Sequence, residues 1–256
     1  MESKAVHFRA VNNAIYSQLG DRWYDAKDDP IALLRAESRL RNPWIASELG
    51  ARFGRPCQVL DLGCGAGFLS NDLAKRGHHV TGVDASVESL AVAARRDPTK
   101  SVAYHHGDVT RLPYADARFE AVCAMDLLEH VEEPATVIAE ASRVLVPGGV
   151  LFFHTFNRNW LSWLVVIKGV ERFVRNTPKD LHVSRLFLRP DEVTAMCRHS
   201  GFIPGRIRGM RPRLDRPFVR MLVGGTVSDD FAFTFCDSTL LAYTGMAIKR
   251  PQLRAV

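Results

Sequence analysis

The sequence predicts an α/β fold in which parallel strands alternate with covering helices. From about residue 55 onward, short β-branched and apolar runs alternate with helical patterns, as they do where each strand is joined to the next by a crossover helix. A glycine-rich loop, Gly63-Cys64-Gly65-Ala66-Gly67, separates the first such strand from the first such helix. Acidic residues also close successive strands, Asp84 ending the second and Asp108 following the third, at the sheet edge where open parallel sheets bind ligands.

Each element has a local reason. Gln58-Val59-Leu60-Asp61-Leu62 is the first strand, and the helix after it runs from Phe68 to Arg76, where Gly77 stops it. His79 to Asp84 reads as strand two. Ser86 then caps a helix to about Arg96, with Glu88 in its first turn. Val102 to His106 is strand three. Phe119 to Met125 is strand four, apolar almost throughout, as a strand covered on both faces must be. Pro134 opens a helix that places Ile138, Ala141 and Leu145 on one face. Pro147-Gly148-Gly149 makes a sharp turn into strand five, Val150 to Thr155. Residues 5–50 look helical, as do Asn157 to Asp180 and Pro190 to His199, and Leu240 to Ile248 is strand-like.

Composition narrows the function classes. The chain has 256 residues, 46% hydrophobic and 24% charged, which excludes a disordered tail, a collagen-like fibre and a small disulfide-stapled domain. The longest strongly apolar run, Trp160 to Ile167, is far short of the roughly 20 residues of a membrane-spanning helix. The first residues lack the apolar core of a secretory signal, and the five cysteines form no CxxC pair, so a cytoplasmic location with free thiols is expected. The net charge of +6 contains no lysine or arginine block, so no nucleic-acid partner is expected. Attraction to an anionic membrane surface fits the same charge.

The glycines let the loop take positive φ and let backbone approach a ligand without a Cβ between them. Their G-x-G-x-G spacing differs from the dinucleotide G-x-G-x-x-G pattern. A carboxylate at Asp84 can accept both hydroxyls of a ribose, although an Asp before a helix also serves simply to form the turn. Val59-Leu60-Asp61-Leu62-Gly63-Cys64-Gly65-Ala66-Gly67, Asp84 and Leu145-Val146-Pro147-Gly148-Gly149 together resemble the class I S-adenosylmethionine-dependent methyltransferases over roughly residues 55–156. The resemblance implies a Rossmann-like, seven-stranded, mostly parallel sheet with helices on both faces and a reversed last hairpin containing Leu240 to Ile248. It also implies S-adenosylmethionine as cofactor. Asp61, Gly63, Gly65 and Gly67 would face its methionine part, Asp84 its ribose, and Asp108 and Val109 its adenine. Met125, ending strand four, either lines the same pocket or packs in the core.

A narrower resemblance rests on Met125-Asp126-Leu127-Leu128-Glu129-His130-Val131, Phe153-His154-Thr155-Phe156-Asn157-Arg158-Asn159 and Pro178-Lys179-Asp180-Leu181-His182, with Arg22-Trp23-Tyr24-Asp25 upstream. These segments look like the ubiquinone-biosynthesis O-methyltransferases, which methylate polyprenyl phenols and catechols. The chain departs from that family at Asp126, where Glu is usual, and over Arg39-Leu40-Arg41-Asn42-Pro43, where a His-x-x-Asn-Pro-type segment is usual. Asp126, Glu129 and His130 stand at i, i+3 and i+4, so one helical turn would bring them to a common face. The resemblance implies that they hold a divalent metal, Mg²⁺ or Zn²⁺, beside a catechol; the plainer reading is a solvated helix start. Glu129, His130 and His154 are the candidate acid–base residues, with His182 a further one. Arg35, Arg39 and Arg41 share the N-terminal helical region, where one of them, with Arg35 the expected one, could clamp the cofactor carboxylate.

The expected organisation is therefore a helical cap over residues 1–50, a methyltransferase domain over 51–256, and an insertion at 157–189. Trp160, Trp163, Leu164, Ile167 and Val174 recur near helical spacing, beside Lys168, Arg172, Arg175 and Lys179. Such a segment, 159–176, fits either a lid whose tryptophans line the acceptor pocket or a peripheral membrane contact. The expected activity is O-methylation of a polyprenylated phenol or catechol in ubiquinone biosynthesis. A methyltransferase of a soluble natural product or other lipid, and a catalytically silent cofactor-binding module, are the competing readings.

Overall fold

The computed structural model of the protein describes residues 13–178 and 181–251. The first 12 residues of the expected cap, Lys179 and Asp180 of the Pro178–His182 motif, and the last five residues lie outside them. A short helix α1 (Arg22–Asp25) leads into a long helix α2 (Ile31–Phe53), which runs past the boundary expected at residue 50 and ends on Gly54 in a left-handed turn. The core then alternates β1 (Gln58–Leu62), α3 (Phe68–Lys75), β2 (His79–Asp84), α4 (Val87–Arg96), β3 (Ala103–His106), β4 (Phe119–Met125), α5 (Pro134–Val144) and β5 (Leu145–Phe156). The insertion holds α6 (Trp160–Ser162), a π-helical stretch (Trp163–Gly169) and α7 (Val170–Phe173). The chain closes with α8 (Pro190–His199), β6 (Phe202–Pro212), α9 (Arg216–Gly224), β7 (Phe233–Cys236) and β8 (Ala242–Lys249).

The strands form one sheet in the order β3-β2-β1-β4-β5-β8-β6-β7. The first five are parallel, and β8 inserts antiparallel between β5 and β6. The reversed final hairpin is thus present, but an eighth strand, β7, extends the expected seven by pairing with the end of β6. Alternation along the strands sorts the core. Val59, Ala121, Cys123 and Phe152 pack under α2 and α3, while Leu60, Leu62, Val122, Ala124, Leu151 and Phe153 pack under α5 and α8.

Two local expectations are corrected. Pro147-Gly148-Gly149 is not a turn ahead of the strand but part of β5, whose pairing with β4 shifts register there; Gly148 absorbs the irregularity at φ 79°. The helix expected from Asn157 to Asp180 ends at Phe173, because Val174 turns inward to a buried cluster with Met221 and Phe231. The strand order reverses between β1 and β4, so the crevice for a ligand opens at their carboxyl ends.

Candidate active site

That crevice is a cavity of about 640 Å³. Its floor is the loop after β1. Gly65 has φ 51°, and a Cβ there would stand 3.0 Å from the Trp23 ring, which also lines the cavity. Glycine therefore lets the aromatic wall close onto the loop. Asp84 ties the floor to α4, because the Gly65 N–H donates to its Oδ2 and the Ser86 N–H to its Oδ1, each at 2.8 Å. Burial raises the Asp84 carboxyl, and these backbone N–H groups draw it back down. Each of its oxygens keeps a further lone pair toward the cavity. Asp61 lies deeper; burial pushes it up to about 7, and Ser70 Oγ donates to it at 2.6 Å. Asp108, Val109 and Met125 line the cavity too. Asp108 is held below the usual carboxylate range by the Thr110 hydroxyl and N–H. An open floor of backbone, a carboxylate at the second strand's end and an aromatic wall fit a nucleoside cofactor.

At the end of β4 the chain turns sharply. Asp126 takes φ 55°, a left-handed conformation that Asp tolerates better than most residues. Arg41 from α2 grips its carboxylate with both ends of the guanidinium, Nη1 to Oδ1 at 2.7 Å and Nη2 to Oδ2 at 2.5 Å. Arg41 also lies 3.4 Å from Glu37, and His154 Nε2 lies 3.6 Å from Asp126. Although burial opposes it, the Arg41 charge holds Asp126 below the usual carboxylate range. Burial pushes Glu37 up to about 8, against the pull of the Arg41 charge.

A second cavity, of about 750 Å³, meets the first at Tyr16, Leu34, Asp126 and His130, which line both. Its walls are largely aliphatic and aromatic and come from α2, the insertion, α9 and the β6–β8 edge, with Val170, Phe156, Met221 and Phe231 among them. Its volume lies within the roughly 300–1,000 Å³ of small-molecule sites.

A model of the methyltransferase domain matches residues 60–153. Two relatives named ubiquinone biosynthesis O-methyltransferase, from Aromatoleum aromaticum and Hahella chejuensis, are 35% and 38% identical over 198 residues. The matches span 76% of this chain and 83% and 82% of those proteins. The chain belongs to the ubiquinone biosynthesis O-methyltransferases. In fold it is similar to the magnesium protoporphyrin IX methyltransferase of Synechocystis, solved with bound SAH, at TM-score 0.62 and 17% identity, over 93% of this chain and 95% of that one. A Thermotoga maritima S-adenosylmethionine-dependent methyltransferase gives TM-score 0.59 at 16% identity, over 93% and 99%.

The methyltransferase's site differs from the sequence reading at five residues. Arg35 does not line the cofactor cavity; its guanidinium donates to the carbonyls of Trp23 and Ala26 and so braces the turn before α2. Arg39 is likewise spent on the Phe231 carbonyl. Of the three arginines only Arg41 reaches the cavity wall. Gly67 lies off the wall and serves packing: at φ 80° it leaves room for the Tyr104 hydroxyl, which a Cβ would meet at 2.4 Å. His154 is fully buried and lines neither cavity; burial, then the Arg41 charge, pushes it down to about 3, so it is a neutral prop rather than a base touching substrate. Glu129 is also fully buried and lines neither cavity.

The expected common face of Asp126, Glu129 and His130 is not formed, because only Leu128–His130 makes a 3₁₀ turn and Asp126 lies outside it. The donor atoms that do converge belong to Glu37, Asp126 and His154, within 4.8 Å of one another. That set does not fit a divalent metal, since the Arg41 guanidinium donates to both Asp126 oxygens and flanks Glu37, so an ion there would meet a fixed positive charge. The residues missed from sequence are Arg41 in this role, Glu37, Tyr16 and Trp23. Trp23 had a signal, since it stands inside a quoted family segment.

Among the described residues Glu129 has no hydrogen-bond partner for either oxygen; the Thr155 hydroxyl lies beside it without closing a bond. Burial, then the Asp126 charge, pushes it up to about 8. A carboxyl whose folded pKa exceeds its unfolded value favours the fold fully below the unfolded pKa and loses that contribution as pH rises through the folded one. The Glu129 contribution to the wild type's melting temperature should therefore fall between about pH 4.5 and about pH 8, and Glu129→Gln should flatten that fall. An unchanged slope in the variant, followed by thermal melts, would contradict a neutral Glu129.

Proposed function

We propose that the enzyme transfers a methyl group from S-adenosylmethionine to a phenolic oxygen of a polyprenyl phenol or catechol, in ubiquinone biosynthesis. The observation that carries this reading is the meeting of two unlike cavities at Asp126, His130 and Tyr16. One has a nucleoside-binding floor, and the other is large and apolar enough for a hydrocarbon tail. When bound, S-adenosylmethionine supplies a sulfonium methyl; the acceptor oxygen forms the new C–O bond as the S–C pair stays on sulfur.

The chain's own residues position the partners and take the proton. A phenol has a pKa near ~10 and is a poor nucleophile at neutral pH. His130 is kept neutral, burial pushing it down to about 4. Asn13 Oδ1 lies 3.1 Å from its Nδ1, and the Tyr16 hydroxyl 3.5 Å from its Nε2. With the proton on Nδ1, donated to Asn13 Oδ1, Nε2 accepts from the Tyr16 hydroxyl, and a phenolic acceptor would take that hydroxyl's place as the proton donor to Nε2. The His182 ring stands 5.3 Å away across the apolar cavity. Holding the reactants in line contributes much of the acceleration.

The apolar walls favour this reading over a soluble acceptor, and the buried Arg41–Asp126–Glu37 cluster favours it over a silent module, which has no use for so costly an arrangement. Peripheral membrane contact finds support in the insertion. One face (Val166, Ile167) packs on Phe156 and Phe187, whereas Trp160 is 74% exposed and Trp163 42%. The tryptophans therefore do not line the pocket, contrary to the lid reading as first framed. Lys168 Nζ lies 5.9 Å from the Trp163 ring, and Leu164 and Val165 stand exposed at the cavity's rim. Among the described residues no helix is long and apolar enough to cross a membrane. Replacing Trp160 and Trp163 by Ala should lower co-sedimentation with anionic liposomes several-fold; equal sedimentation would remove this contact from the account.

The function itself is tested by incubating the enzyme with methyl-labelled donor and either a polyprenyl catechol or the same ring without its tail. Preferential label in the tailed methyl ether is expected. Equal labelling of both, or label in neither, would refute the proposed acceptor.

A further inference from the structure

Arg41 and Asp126 are 85 residues apart along the chain but meet in one buried ion pair. Its side chains are 3% and 15% exposed. Arg41 donates to both oxygens of Asp126 and lies 3.4 Å from Glu37. A guanidinium does not lose its proton in a protein, so this positive charge is permanent. Removing either partner would leave the other charged and buried without compensation. A divalent ion at Glu37, Asp126 and His154 would sit against this permanent positive charge.

A second observation sets the arginine beside a ligand cavity. Arg41 forms part of the cofactor cavity wall, and its buried Nε–H has no hydrogen-bond partner among the described residues. Its partner Asp126 lies at the seam between the two cavities, where an acceptor oxygen must meet the methyl group. We propose that Arg41 is the resident cation of this catalytic centre, and that the enzyme methylates its acceptor without a divalent metal. Its fixed charge balances Asp126 and stabilises the oxyanion formed as the phenolic proton leaves for His130. The departing electron pair remains on the donor's sulfur, so no co-reactant is needed.

The proposal rests on the O-methylation reading for its acceptor, but its metal arm does not. Titrating MgCl₂ and, separately, ZnCl₂ into chelator-treated wild-type enzyme by calorimetry should show no binding that Asp126→Asn removes. Turnover after chelation should stay within about twofold of the untreated enzyme, whereas Arg41→Met should lower kcat by ~100-fold and Arg41→Lys by clearly less. One Mg²⁺ or Zn²⁺ per chain bound by the wild type and lost in Asp126→Asn would overturn the proposal, as would chelated enzyme that only added metal revives. Equal loss in Arg41→Met and Arg41→Lys would reduce Arg41 to packing. If no acceptor is methylated, the O-methylation reading fails while the titrations still report on the metal.

Discussion

Asp84→Ala weakens S-adenosylhomocysteine binding by at least ~100-fold, measured by calorimetry. The size follows from two losses. A hydrogen bond to a charged group contributes about 1.5–3 kcal/mol, and a ribose diol would lose two such bonds. The Gly65 and Ser86 N–H groups also lose their shared acceptor, so the loop that forms the cavity floor is no longer tied to α4. Asp84→Asn separates the contributions. It keeps one acceptor oxygen and should fall between wild type and Asp84→Ala. Affinity within about twofold of wild type in both variants would place the ribose elsewhere.

The second large effect concerns the apolar cavity. Val170 lies on its wall, half-buried on the insertion. Val170→Trp would fill space that a hydrocarbon tail needs, and a close-packed wall relaxes little around added volume. The KM for a polyprenyl catechol should rise at least tenfold, while the KM for the tailless ring and the affinity for S-adenosylhomocysteine change little. Because the cofactor cavity is separate from Val170, a parallel loss of cofactor affinity would mean that the substitution disturbs the fold rather than the tail site. An unchanged KM for the tailed acceptor would remove the cavity from the account.

How much of this was legible in the sequence depends on how locally each feature is encoded. β1, β2 and β4 take the expected bounds, because apolar runs bounded by glycine and aspartate leave few alternatives in a sheet covered on both faces. β6 and β7 were not legible. β6 contains Pro204 and Gly205, carries a register shift and is largely half-exposed, so it lacks the period of a buried strand. The cofactor wall could be read at Asp61, Gly63, Gly65, Asp84 and Asp108 because each stands at a strand's end. The reacting centre could not. Local spacing put Asp126, Glu129 and His130 on one turn, but the left-handed backbone at Asp126 breaks that turn and hands its carboxylate to an arginine on α2. Nothing in the neighbourhood of Arg41 distinguishes a buried arginine from a solvated one, since its partner lies in another part of the chain.

The central claim is that donor and acceptor occupy the two cavities and meet at their shared wall. A crystal structure of the enzyme with S-adenosylhomocysteine and a polyprenyl catechol analogue tests it most directly. The account predicts the nucleoside above Gly63 and Gly65 with its diol on Asp84, the catechol ring between His130 and the Arg41–Asp126 pair, and the tail among Val170, Met221 and Phe231. A ring or tail bound outside that junction, with the apolar cavity left unfilled, would contradict it.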